Sequence, residues 1–313
     1  MIRALVFPGQ GSQEVGMGRE LAAAFPSARD TFAEVDEALK QHLSRLMFEG
    51  PENELMLTAN AQPALMAVSL AVMRVLTKDG GFGVKGGARF VAGHSLGEYS
   101  ALAAADALAL PDAARLLKRR GLAMQRAVPV GEGAMAALLG LELEEARKIA
   151  AAAAQGEVCD CANDNGPGQV VVSGHKAAVE RAIALSAERG ARRSILLPVS
   201  APFHCALMAP AAHEMEEALA EVEIKEPVVP LVANVTASPV RDPDEIRMLL
   251  VRQVTELVRW RESVLAMRAA EVEEVVEVGA GRVLSGLVKR IDRALGAVPL
   301  TAPADIEAFL KRV

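Results

Sequence analysis

The stretch Arg89-Phe90-Val91-Ala92-Gly93-His94-Ser95-Leu96-Gly97-Glu98-Tyr99-Ser100-Ala101-Leu102 decides how the rest of the chain is read. A short apolar run, 90–92, meets Gly93-His94-Ser95-Leu96-Gly97 and passes into an Ala- and Leu-containing segment suited to a helix. A serine inside G-x-S-x-G, between a strand and a helix, describes a nucleophile elbow. The turn is so sharp that side chains two residues before and two after would clash, hence Gly93 and Gly97. Ser95 Oγ then stands above a sheet at a helix N-terminus, where the dipole and the Leu96 N–H are aimed to stabilise an oxyanion. The same residues also fit an ordinary tight turn; the flanking strand and helix favour the elbow.

Working outward, residues 4–7 form a buried first strand, broken by Pro8-Gly9-Gln10-Gly11-Ser12-Gln13. Ligands of open α/β sheets gather at the C-terminal ends of strands, so the backbone N–H at Gln10 is a candidate second oxyanion donor beside Ser95; a plain strand-to-helix turn is the other reading. Apolar spacing predicts helix over 19–46, and Ala61-Gln62-Pro63 opens a helix to 78 with almost no polar face and Pro63 in its first turn. The glycines of 79–87 are a connection rather than a phosphate loop, since no Gly-Lys-Ser/Thr follows. A helix over 111–127 places Arg119 in line with Asp112, Arg115 and Arg126, the solvated face. Arg120 falls in line with Ala113, Leu116, Leu117, Met124 and Ala127 and points inward. A buried guanidinium needs a partner, either a buried carboxylate or a substrate carboxylate in its fork.

After Pro129 the pattern changes. Strand over 134–139, helix over 143–154, strand over 157–162, an Asn165-Gly166 hairpin turn, strand over 169–173, helix over 176–189 and strand over 193–197 follow in turn. This βαββαβ order is ferredoxin-like. It predicts an inserted small subdomain over 129–198, between two parts of a large α/β subdomain over 1–128 and 199–313. In the second part, Val199-Ser200-Ala201-Pro202-Phe203-His204 presents a histidine between a proline-bearing turn and a helix, a position that suits a base held over a cleft, although most histidines are structural. A Cys–His pair with Cys205 is not expected, because sequence neighbours rarely face each other. Strands over 228–232 and 275–278, another near Val298, and helices over 244–254, 260–268, 283–294 and 304–310 complete a βαβα alternation. That alternation predicts a mainly parallel sheet covered on both faces.

Composition bounds the function. A net charge of −6 argues against general nucleic-acid binding, which needs surplus Lys and Arg. No uninterrupted apolar run approaches a membrane span, and the residues before Pro8 are too short an apolar stretch for a secretion signal. Three cysteines do not describe a disulfide framework. Cys159 and Cys161, two apart on one strand, lack further ligands nearby for a metal site and read as buried thiols. The expectation is a cytoplasmic protein without metal or redox cofactor, and by its length a monomer.

Together, Gly9-Gln10-Gly11-Ser12-Gln13, Gly93 to Tyr99, Arg120-Gly121 through Met124-Gln125, Ala201-Pro202-Phe203-His204 and Gln253-Val254 resemble the malonyl-CoA:acyl carrier protein transacylases, from the first strand to the last helix. The resemblance implies an α/β-hydrolase-like core interrupted by a ferredoxin-like subdomain. It implies Ser95 as acyl-accepting nucleophile and His204 as general base and acid. It further implies that the backbone carbonyl of Gln253 orients the histidine, that N–H groups of Gln10 and Leu96 form the oxyanion hole, and that Arg120 binds the malonyl carboxylate. His94 matches a position lining the site. Phe203 matches malonyl-selective members, whereas Ala201-Pro202 departs from their small residue and Ala and is expected to shift the pocket wall. The implied partners are malonyl-CoA, a substrate rather than a cofactor, and an acidic carrier protein. Arg192 and Arg193, or Lys289, Arg290 and Arg293, are candidate docking cations or simply solvated faces. Two other serine-enzyme readings fit worse. An α/β-hydrolase esterase or thioesterase puts its histidine after a third acid near the C-terminus, and a patatin-like dyad needs Asp-Gly downstream of the serine. A non-catalytic scaffold would not need Ser95, His204 and Arg120 together.

Overall fold

The computed structural model describes residues 1–313. Its ten strands are β1 (Arg3–Phe7), β2 (Phe90–Gly93), β3 (Gly133–Leu139), β4 (Cys159–Gly166), β5 (Gln169–His175), β6 (Arg193–Leu196), β7 (Leu231–Val232), β8 (Pro239–Val240), β9 (Glu274–Val278) and β10 (Gly296–Leu300). They form two sheets. Six strands in the order β10-β9-β1-β2-β7-β8 are parallel except for β8, and four in the order β4-β5-β3-β6 are wholly antiparallel. The parallel strands are short and buried: β2 and β9 have no exposed residue, as expected of a sheet covered on both faces.

The helix Thr58–Arg74 lies at the centre. Fifteen of its residues are buried, and of the most apolar 18-residue window within Thr58–Asp79, a stretch long and apolar enough by composition to cross a membrane, 89% is buried inside the protein. It starts three residues before the expected position, which leaves Pro63 inside the helix. The predicted helix over 19–46 is three helices, Arg19–Ala24, Pro26–Leu39 and Leu43–Glu49. Pro26 starts the second, and Lys40, in the left-handed region, ends it. The helix Leu110–Ala127 packs on the central helix at Gly121, where an added Cβ would lie 2.5 Å from Ala59 Cα. That close approach sets Arg120 against the central helix.

The antiparallel sheet follows the expected element order. Its hairpin turns at Pro167-Gly168 rather than Asn165-Gly166, so β4 runs on to Gly166 and carries Asn163 and Asn165 towards the large sheet. Bonds from Val258 N to Ala162 O, 2.9 Å, and from Asp164 N to Val258 O, 3.0 Å, stitch β4 to the loop before the helix Trp260–Ala269.

Candidate active site

Register brings the loops together. Phe7 of β1 pairs with Gly93 of β2, and Ala92 pairs with Val232 of β7, so the chain leaves three adjacent parallel strands at one edge. Gln10, Ser95 and Asn234 lie just beyond those three ends. A Cβ on Gly93 would lie 1.9 Å from the Gly97 carbonyl carbon, and one on Gly97 2.3 Å from Phe7 O, so the elbow closes only with glycine at both positions. Ser95 itself has φ 53°, a left-handed conformation that a side chain rarely adopts. Hydrogen bonds hold it there: Ser95 N donates to Asn234 Oδ1 at 2.8 Å, and Gly97 N to His94 O at 2.9 Å.

Ser95 Oγ lies 2.8 Å from His204 Nε2. The other imidazole nitrogen, Nδ1, lies 2.7 Å from the backbone carbonyl of Gln253, which can only accept; Nδ1 therefore carries the proton and Nε2 accepts from the serine. Burial, reinforced by the Arg120 guanidinium, pushes His204 down to about 3, so the ring is neutral and ready to take a proton. His204 also has a left-handed φ of 56°. Two strained residues facing each other are a common mark of a functional site. Cys205 does not face the imidazole: its Sγ donates to Pro202 O at 3.1 Å. All three cysteines are free, with burial pushing Cys159 and Cys161 up to about 12 and Cys205 to about 11.

Arg120 points inward and is 1% exposed. Its Nη1 donates to Gln62 Oε1 at 2.7 Å, and its Nη2 donates to Gln253 Oε1 at 2.8 Å and Ser95 Oγ at 3.1 Å. No carboxylate pairs with it within 4.0 Å, so of the two partners open to it in the sequence, a direct internal ion pair is absent. Arg119, one residue earlier, meets Glu214, Glu217 and Glu221 on the surface as its helical position requires.

A cavity of about 270 Å³ opens over these groups, lined among others by Gln10, His94, Leu96, Arg120, Phe203 and His204. The N–H groups of Gln10 and Leu96 make no hydrogen bond within the protein. His94 Nε2 lies 2.8 Å from Asn165 Oδ1, joining the large sheet to the antiparallel one across the cavity. Neither Ala201 nor Pro202 lines the cavity, whose wall here is the next residue, Phe203, and the Pro202 ring packs over Gly133.

Three polar residues escaped sequence reasoning. Gln62, Asn234 and Glu98 are all buried, at 1%, 0% and 1% exposure. Burial pushes the Glu98 carboxyl up to about 7, against the opposing pull of Asn234, Gln253 and Arg120. A signal for Glu98 existed. The residues 97–102 after the elbow offer no polar face, so an acid among them must be met inside the protein.

A serine on a strained strand-to-helix turn, a neutral histidine beside it, free N–H groups and a buried cation, all at one edge of an α/β sheet, are an arrangement chemically able to carry out acyl transfer. The chain belongs to the acyl transferase domain family, whose model matches residues 4–296. Among its relatives, the malonyl CoA-acyl carrier protein transacylase of Escherichia coli (strain K12) is 48% identical over 308 residues, 98% of each chain. The enzyme of that name from Bacillus subtilis (strain 168) is 45% identical over 309 residues, 98% of this chain and 96% of that one. Among solved structures, the acyl-carrier-protein-S-malonyltransferase from Bartonella henselae superposes with a TM-score of 0.97 at 52% identity, covering 100% of this chain and 99% of that chain. A malonyl-transacylase in complex with its type II PKS acyl-carrier protein superposes at 0.96 with 43% identity, covering both chains fully.

Proposed function

We propose that this chain transfers a malonyl group from malonyl-CoA to the phosphopantetheine thiol of an acyl carrier protein, supplying extender units for fatty-acid synthesis. The observation that carries the reading is the meeting of Ser95 Oγ with both neutral His204 and the unpaired guanidinium of Arg120. The malonyl carboxylate takes the Arg120 fork, which brings the thioester carbonyl to Ser95. Ser95 Oγ attacks that carbon while His204 Nε2 takes the hydroxyl proton. The N–H groups of Gln10 and Leu96 stabilise the oxyanion; the C–S bond breaks, and the CoA sulfur leaves with the proton from His204. A malonyl-serine ester remains. The carrier thiol gives its proton to His204 and attacks the ester carbon. The C–O bond then breaks, and Ser95 Oγ regains the proton, so the two half-reactions alternate in one cleft. The thioester is already activated, so the chemistry calls for no metal or redox cofactor. His94 and Phe203 wall the cavity, and the bulk of Phe203 limits substitution on the malonyl carbon.

The hydrolase reading is not favoured. The histidine of such enzymes is oriented by an acid, whereas His204 is met by a peptide carbonyl.

The strand order β4-β5-β3-β6 supports reading residues 129–198 as a ferredoxin-like insertion. The β1, β2 and β7 to β10 strands of the parallel sheet come from 1–128 and 199–313, which supports one hydrolase-like subdomain in two segments. For carrier docking we favour Arg192, Arg193, Lys289, Arg290 and Arg293. All five are exposed, and none forms an ion pair within 4.0 Å. Arg290 Nη1 reaches Gln169 Oε1 at 3.0 Å, and Gly168 and Arg192 both crowd Gly140, so the two groups border one face. A monomer in a reducing cytoplasm, consistent with three free thiols, is the form in which we propose it acts.

The test is intact-protein mass after brief mixing with malonyl-CoA. A malonyl adduct that needs Ser95 and is discharged by a carrier protein supports the reading; rapid loss to water without an acceptor would return the hydrolase.

A further inference from the structure

The acyl-transfer centre has no acidic residue touching its histidine, yet a buried carboxylate lies one residue shell behind it. Asn234 Oδ1 accepts from Ser95 N at 2.8 Å, and Asn234 Nδ2 donates to Gly93 O at 2.7 Å, so one side-chain amide spans both sides of the elbow. The backbone N–H of Asn234 donates to Glu98 Oε1 at 2.6 Å. The second oxygen, Glu98 Oε2, accepts from Gln253 Nε2. That same Nε2 donates to Ser95 O at 2.9 Å, while Gln253 Oε1 accepts from Arg120.

The orientation of the Gln253 amide follows from chemistry. A guanidinium only donates, so the atom facing Arg120 is the oxygen, and the nitrogen faces Ser95 O and Glu98. Both of its hydrogens are then used, and both Glu98 oxygens act as acceptors. Gln253 is also the residue whose backbone carbonyl holds His204 Nδ1. Its side chain is fixed by Glu98, and its main chain fixes the imidazole.

We propose that Glu98 and Asn234 are positioning residues. Through Asn234 they hold the strained Ser95 backbone, and through Gln253 they set the imidazole and the Arg120 fork in register with it. The inference rests on the transacylase reading above. In a buried site of low dielectric these linked hydrogen bonds strengthen one another, and loss of one member leaves the remaining groups to rearrange. In Glu98→Gln, a near isostere, one of the two oxygens becomes a donor NH₂ and opposes either Asn234 N–H or Gln253 Nε2. In Asn234→Asp the bond to Ser95 N survives, but an oxygen is set against Gly93 O.

The experiment is single-turnover acylation of Ser95 by malonyl-CoA and, separately, by acetyl-CoA, followed by intact mass for the wild type, Glu98→Gln and Asn234→Asp. A structural role alone lowers the burst amplitude, because fewer molecules fold, and leaves the first-order rate constant of the folded fraction unchanged. Positioning lowers the rate constant itself. For Glu98→Gln we expect a fall of roughly 10- to 100-fold, with a smaller malonyl-over-acetyl ratio because Arg120 is no longer held. Rate constants and ratio within about twofold of wild type, in either variant that folds, overturn the inference. Absence of a malonyl adduct on the wild type overturns the transacylase reading, and this inference with it.

Discussion

Replacing Arg120 by alanine tests the proposed basis of malonyl selectivity. In the free protein the Arg120 Nη groups donate to Gln62, Gln253 and Ser95, all neutral acceptors, Nε is buried without a partner, and no contact compensates the charge. A malonyl carboxylate supplies that charge. Each hydrogen bond to a charged group contributes about 1.5–3 kcal/mol, so a two-bond fork contributes about 3–6 kcal/mol, roughly 10²- to 10⁴-fold in kcat/KM. Acetyl-CoA has no carboxylate and cannot gain this. Arg120→Ala is therefore expected to lower kcat/KM for malonyl-CoA by about two to four orders of magnitude while the value for acetyl-CoA stays level or rises, collapsing the ratio between them. Rates of Ser95 acylation with each thioester, read by intact mass, give both numbers. Equal losses for the two substrates would refute the reasoning, since they would mean that Arg120 supports the elbow or the imidazole rather than the acyl carboxylate.

Other expectations follow from the same geometry. With His204 held down to about 3, nitrogen NMR of labelled histidine should show a neutral Nδ1–H ring at pH 5; an imidazolium there would contradict the buried site. The linked stability has a definite sign. Between 6.5 and about 3 the unfolded His204 binds a proton that the folded one refuses, so its contribution is whole above 6.5 and declines as pH falls. Glu98 acts oppositely: raised from 4.5 to about 7, its contribution is whole below 4.5 and is lost as pH rises through 7. Glu98→Gln should thus steepen the rise of the urea midpoint between pH 4.5 and 7, and an unchanged slope would count against the shift. Gly97→Ala, whose Cβ would lie 2.3 Å from Phe7 O, should destabilise the fold by about 3 kcal/mol or more, seen as a fall in Tm; a stable, fully active variant would mean the elbow is looser than described. Lys289→Glu with Arg290→Glu should raise KM for the carrier about tenfold at low salt, less at high salt. Equal slowing of the malonyl-CoA half-reaction would argue against docking.

Several site features were readable from residues alone because their signal is local. G-x-S-x-G between strand and helix places Ser95, and the spacing of one helix turns Arg120 inward and Arg119 outward, as their partners bear out. The βαββαβ order of the inserted sheet is visible in its turn residues and periodicity, although the turn itself sits two residues later than its Asn-Gly signal suggested. The carbonyl that meets His204 was different in kind. Every residue has a carbonyl, so Gln253 entered only through resemblance, and the distance of 2.7 Å now supports that position.

The sequence by itself determined the alternation of strands and helices, the glycines that permit the elbow, and the direction in which Arg120 points. These depend on neighbours within a turn or two. Tertiary structure decided what Arg120 meets, that Pro202 turns to Gly133 instead of the pocket, and that Glu98, Asn234 and Gln253 form one network. Glu98 is 136 positions from Asn234 and 155 from Gln253, and the order of β1, β2 and β7 in the sheet brings the ends of those strands to one edge. Pairing between strands so distant in the chain leaves no mark in local pattern, because periodicity reports which face is buried and not which residues it is buried against.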